Sequence, residues 1–293
     1  AAVPRMTWRD RNGNLVPGDD GQDRFLEWMY GTRPGRLLVK LMIRPGVSRA
    51  AGWLLDRRVS ALAVRPFIRK NHICMDDFEQ RRFRSFNDFF TRRVLPGKRP
   101  VDDAPAHLIA PCDSKLTVYA IRPDSRFRVK GTEYTLEGLL QSKELAETFL
   151  GGTLLLFRLT VGDYHRYAYI DSGFVTGSTR ISGVFHTVNP AAASRCPIYR
   201  ENTREYSLLE SQQFGTVLQM EVGAAMVGRI VNSPGSRNIR RGEEKGRFEF
   251  GGSTVIVLLQ KGRAILDADL PRNTAQDAET VVRLGERIGI KAE

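Results

Sequence analysis

The chain has 293 residues, 41% hydrophobic content and a formal net charge of +12. This length supports one large domain or two small ones, and no apolar run reaches the roughly 18 residues that a membrane-spanning helix needs. Cys74, Cys112 and Cys196 show neither a disulfide framework nor zinc-ligand spacing, a pattern that suits a reducing compartment.

The charge is unevenly placed. Residues 1–100 hold 21 Lys and Arg against 10 Asp and Glu, whereas residues 101–293 hold 24 against 23. A basic N-terminal third fits a nucleic acid, an anionic membrane surface or simply a solvated face. Zinc-finger spacing and aromatic RNA-binding motifs are both missing, so no nucleic-acid partner is expected.

In chain order, the spacing of apolar residues predicts short helices at Phe25–Tyr30 and Arg36–Arg44, the second bracketed by Pro34 and Pro45. Trp53-Leu54-Leu55 and Ala61–Val64 continue the pattern, with Arg57 and Arg58 between them. Tryptophan, aliphatics and many arginines on short helices describe a segment lying on a bilayer, or a helical cap packed on the rest of the chain. Phe83–Phe90 repeats aromatics at helical spacing and reads as a core stripe. Leu95-Pro96-Gly97-Lys98-Arg99-Pro100 reads as a turn, and a domain boundary is expected near residue 100.

Beyond it the texture is β. Strands are predicted at 116–120, 153–159, 166–170, 215–222 and 254–259, with one helix over Leu136–Leu150 and a short amphipathic tail over 272–293. The expected fold is α+β, with N-terminal amphipathic helices (1–100) on a mainly antiparallel β domain (101–293).

Among residues that could carry chemistry, Gly251-Gly252-Ser253-Thr254 precedes the apolar run Val255–Leu259. Two glycines permit a tight turn, and a serine hydroxyl there can attack the preceding carbonyl in an N→O acyl shift. Asp113 precedes a strand and could cap a turn or orient an imidazole. His165 opens another strand among titratable neighbours, and His186 opens a turn-like segment. No two of the four histidines are close in sequence, so no metal site is expected. Neither a dinucleotide-binding fingerprint nor a P-loop is present.

Taken together, several segments resemble the pyruvoyl-dependent phosphatidylserine decarboxylases. They are Phe86–Arg92, Pro96–Pro100, Pro111–Asp113, Asp163–Arg166, Thr187–Pro190, Asn202–Glu205, Val222–Ala224 with Val227-Gly228, and Lys245–Thr254, in the family's order. The resemblance implies a proenzyme that cuts itself between Gly252 and Ser253 and leaves a pyruvoyl group at position 253. It implies a Schiff base with phosphatidylserine and release of phosphatidylethanolamine and CO₂. Asp113 matches the Asp of an Asp–His pair that activates the serine, and His165 matches a proton donor. An anionic membrane surface on the cytoplasmic side of the cell membrane and a homodimer are further expectations. A decarboxylase of a soluble amino acid, or of another lipid serine, is the alternative within enzymes.

Two departures stand out. The family commonly reads Tyr-His-Arg-x-His, and the second His is the base for self-cleavage; here that position is Ala168. Three explanations follow: a substitution introduced to trap the uncut chain, His186 or His165 serving as base, or a non-processing membrane-binding homologue. Ser114 stands where the family usually has Gly, which alters the turn beside Asp113.

Overall fold

A sheet of eleven strands forms the centre of the computed structural model, which describes residues 7–18, 50, 52–183, 185–186, 199–200, 202–223, 229–249 and 253–293. Its middle strand, Ser253–Leu259, is buried along its whole length because a core packs on each face. That explains the unbroken apolar run where a half-exposed strand would alternate.

Gly215–Val222 pairs with one edge of the middle strand and Thr153–Leu159 with the other, both antiparallel. Outward on the first side lie Arg204–Ser211, Gly173–Val175 and Arg237–Ile239, with Thr179–Ile181 also on Arg204–Ser211. Outward on the second side lie Ser114–Ala120, Ala278–Val282, Thr7–Arg9 and Leu15–Val16. Only Thr7–Arg9 runs parallel to its neighbour, Ala278–Val282, among the described pairings of this sheet.

On one face, the larger core is closed by two three-stranded sheets. One comprises Ile230–Asn232, Glu244–Phe248 and Arg166–Ala168; the other comprises Ala264–Leu266, Arg287–Lys291 and His107–Ile109. On the opposite face, the Phe127–Val129/Thr132–Tyr134 hairpin and two short helices cover Leu154, Leu156, Met220 and Ile256. A third, smaller cluster joins Val64, Ile73, Phe86, Phe89 and Phe90. Here the aromatic stripe forms the helix Phe86–Phe90, capped by the Ser85 hydroxyl accepting from the Asp88 N–H.

The fold is thus mostly β with few helices, α+β with a mainly antiparallel sheet. The helices predicted at 25–30 and 36–44 lie outside the described residues, and the N-terminal residues 7–16 form a hairpin on the sheet edge. The single helix predicted over Leu136–Leu150 is two, Leu136–Leu140 and Lys143–Thr148. Gln141 turns left-handed at φ 51° and the Ser142 hydroxyl caps the second helix, so the chain breaks between two helix-compatible stretches. The predicted tail is also corrected. Residues 278–282 enter the central sheet, and 287–291 enter a smaller one. Five-residue strands at the end of a chain carry too little periodicity to separate them from a short helix.

Candidate active site

Ser253 begins the middle strand. It pairs with Leu159, and Thr254 pairs with both Arg158 and Val222. The ladder runs without a bulge, so Ser253 shares the face of Val255, Val257 and Leu259 toward the larger core. It is 2% exposed. Gly251 and Gly252 lie outside the described residues.

The sheet topology gathers the other predicted residues at this same end. Thr153–Leu159 finishes beside Ser253 and leads into the loop carrying Asp163 and His165. Ser114–Ala120 starts immediately after Asp113, and Ala278–Val282 finishes just before Leu284. Antiparallel neighbours alternate direction, so starts and ends of strands distant in sequence meet on one edge.

Asp113 is held tightly. Arg99 donates from Nε to both carboxylate oxygens at 2.9 Å and from Nη2 at 2.6 Å, and the Leu284 N–H donates at 2.9 Å. Arg99 Nη1 also reaches Asp77 at 2.9 Å. Position 168 lies beside this group, because the Ala168 N–H donates to the Pro111 carbonyl at 2.8 Å and its methyl packs with Leu284, Phe78 and Tyr164. The structure therefore brings Asp113 and position 168 together, with a guanidinium on the carboxylate.

His165 is buried, and its ring lies 3.9 Å from that of Phe90 between centroids. Burial, with the nearby Arg92 charge, pushes its pKa down to about 3, so the imidazole is neutral at pH 7. An acid role for it starts from this neutral ring. Between pH 6.5 and 3 the unfolded chain binds a proton that the folded chain refuses. His165 therefore adds stability that is full above pH 6.5 and drains away toward pH 3. Denaturant titrations from pH 7 to 4 are expected to show a flatter acid loss in His165→Leu than in the parent; equal slopes would contradict the assignment.

A buried ion pair lies on the Ser253 side of the sheet. Lys245 Nζ donates to Glu221 Oε1 at 2.6 Å, with both side chains at 1% exposure or less. Glu221 is the ladder partner of Val255, two residues from Ser253, and directly opposes Glu205 on the next strand. Asn232 donates to both carboxylates and accepts from the Tyr167 hydroxyl at 2.7 Å. Lys245 is the extra residue of a bulge facing Tyr167 and Ala168, a device that re-aims a side chain. Gly246 is required there, since a Cβ would sit 2.4 Å from Asn232 Oδ1 and from the Val231 carbonyl oxygen.

His186 ends a two-residue strand paired with Tyr199–Arg200, and its side chain lies outside the described set. Sequence reasoning missed Arg99, which it placed in a turn, and the Glu221–Lys245 pair. The signals available were a charged residue inside an apolar strand, Glu221, and the lysine opening the Lys245–Thr254 motif.

Residues 86–290 match the family model described as phosphatidylserine decarboxylase. The chain is 41% identical over 265 residues to "Phosphatidylserine decarboxylase proenzyme 2" of Clostridium acetobutylicum, covering 90% of this chain and 91% of that protein. It is 40% identical over 275 residues to the phosphatidylserine decarboxylase proenzyme of Clostridium novyi, covering 92% and 93%. The protein of that name in Desulfitobacterium hafniense is 37% identical over 275 residues, covering 92% of each. The class is that of a decarboxylase, a carboxy-lyase synthesised as a zymogen. Within that class, the chain belongs to the phosphatidylserine decarboxylase family of phospholipid biosynthesis.

Proposed function

We propose that this chain is the proenzyme of a decarboxylase that converts phosphatidylserine to phosphatidylethanolamine after a self-cut between Gly252 and Ser253, and that Ala168 withholds the base for that cut. The observation that carries this reading is the place of Ser253, buried at the start of a seven-residue strand with a partner on each side. A cut before Ser253 leaves the ladder hydrogen bonds of residues 253–259 in place, so both pieces stay in one fold. The enclosed strand start, without a charged side chain of its own, suits the small neutral pyruvoyl group formed from Ser253. When present, that group supplies the electron sink for loss of CO₂.

The chain's own residues take the remaining roles. His165 is assigned the proton transfer at the substrate α-carbon. Asp113 is assigned to orient and stabilise an imidazole at position 168. Ala168 offers none, so processing through an Asp113–histidine pair is blocked in this chain, and any cut would need His186 or His165 as the base instead. The test of substrate is CO₂ release by the Ala168→His protein from phosphatidylserine vesicles and, separately, from free serine. Release from the lipid alone is expected. Release from free serine alone would move the assignment to the soluble amino-acid decarboxylase.

The protein is further assigned to the cytoplasmic face of the cell membrane as a peripheral homodimer. Supporting this, Trp53, Leu54 and Val59 are at least half exposed, and Leu62 is 79% exposed. Arg57 stacks on Trp53 at 4.1 Å, and Arg58, Arg65 and Arg69 lie on the two short helices that follow, Arg58–Ala63 and Val64–Lys70. Apolar side chains ringed by cations suit an anionic bilayer. Among the described residues, no helix is long and apolar enough to cross one. Flotation with anionic vesicles and not with neutral ones is expected, and sedimentation without vesicles should give twice the chain mass. Equal flotation with both vesicle types would count against the membrane assignment.

A further inference from the structure

The Phe86–Arg92 motif has no part in the reading above, yet the structure folds it directly against Asp163–Arg166. Phe90 stacks on His165, Arg166 Nε donates to the Thr91 carbonyl at 3.0 Å, and Arg92 Nη2 donates to the Gly162 carbonyl at 2.8 Å. Arg92 is 1% exposed, with its guanidinium 4.2 Å from the Phe78 ring centroid and 4.8 Å from that of Phe89.

Among the described residues, Arg92 Nε and Nη1 have no hydrogen-bond partner, and neither does His165 Nδ1. Buried polar atoms are normally satisfied, and a buried cation without a partner is costlier still. The nearby carboxylates are committed elsewhere. Asp163 accepts from Lys115 Nζ at 2.8 Å and from Thr160 N and Oγ1, while Asp113 is taken by Arg99. Among the described residues no acceptor completes the Arg92 donors; an anionic oxygen would do so, and would also accept from His165 in the tautomer with the proton on Nδ1.

A cleft of about 500 Å³ lies next to this cluster in sequence, lined by Trp8, Asn71, His72, Thr160 and Gly162 among others, and shares Gly162 with it. Gly162 is both its wall and the acceptor for Arg92. That volume suits a polar headgroup.

We propose that Arg92 and His165 form a buried seat for an anionic oxygen of the substrate's serine headgroup, from its carboxylate or its phosphate. The proposal rests on the phosphatidylserine reading. An anion there would also offset the Arg92 charge that disfavours a protonated His165.

The experiment uses the full chain carrying Ser253→Ala, so that nothing is consumed. Two soluble probes, glycerophosphoserine and glycerophosphoethanolamine, differ only in the carboxylate. Binding is measured by calorimetry, and the His165 ring nitrogens are followed by NMR. Arg92→Met, which keeps the apolar fit between the two phenylalanines, is expected to weaken binding at least about tenfold. Loss confined to glycerophosphoserine places the carboxylate in the seat. Loss for both probes, with His165 resonances moving on binding of each, places the phosphate there.

The proposal is overturned if neither probe binds the parent, or if His165 resonances ignore both. It is equally overturned if an Arg92→Met protein that melts like the parent binds both probes unchanged. The NMR arm reads the parent and stands even where Arg92→Met does not fold. If the Ala168→His protein releases no CO₂ from phosphatidylserine yet Arg92-dependent binding persists, the decarboxylase reading fails and the anion seat remains.

Discussion

Ser253→Ala is expected to leave a single uncut chain with no decarboxylase activity, whereas Ala168→His is expected to raise the rate of self-cleavage by ~10²–10⁴-fold. The first follows from the chemistry, because alanine has no oxygen to attack the Gly252 carbonyl and nothing to become a carbonyl afterwards. The second follows from the neighbourhood of position 168. Its backbone is bonded to Pro111, and its side chain packs against Leu284, whose N–H donates to Asp113. A histidine there would stand beside a carboxylate already fixed by Arg99, which would orient the ring and favour its cation.

Intact mass against time checks both substitutions. Two species from Ala168→His, the smaller lacking its N-terminal amine, fit the assignment. If Ala168→His stays one chain, the pairing of Asp113 with position 168 is wrong for this protein. If Ser253→Ala still cuts, the processing residue lies elsewhere.

Lys245→Met is expected to cost about 3–5 kcal/mol of stability, and Lys245→Met combined with Glu221→Leu to recover most of it. The single change leaves Glu221 buried, with burial already raising its pKa, and directly opposite Glu205. Losing the partner strands a charge, while replacing both members strands only the Asn232 amide, which keeps Glu205. Urea midpoints of the two variants, compared with the parent, decide it. A single-variant loss under about 1 kcal/mol would mean that Glu221 takes a proton or finds water once Lys245 is gone.

Much of the centre was legible from residue order. Gly215–Val222 is a strand with the predicted limits, and Val255–Leu259 could only be buried on both faces given its apolar run. The Phe83–Phe90 stripe also kept its core role: of its four phenylalanines, Phe86, Phe89 and Phe90 are buried and Phe83 packs against them. The helix over Leu136–Leu150 failed for a local reason. Gln141 adopts a left-handed conformation that nothing in its side chain announces.

The sequence by itself determined the family, through short motifs in a fixed order, and the strands whose own composition forces burial. It could not show the partners of those motifs. Asp113 meeting Arg99, Arg92 reaching Gly162, and Lys245 turned inward by a bulge onto Glu221 are contacts between segments far apart in the chain. Hydrophobic periodicity is a local signal, written within a few residues, and it survives reading one residue after another. A charge has no period. Its partner is chosen when antiparallel strands bring their ends to one edge of a sheet and burial makes an unpaired ion too costly to keep.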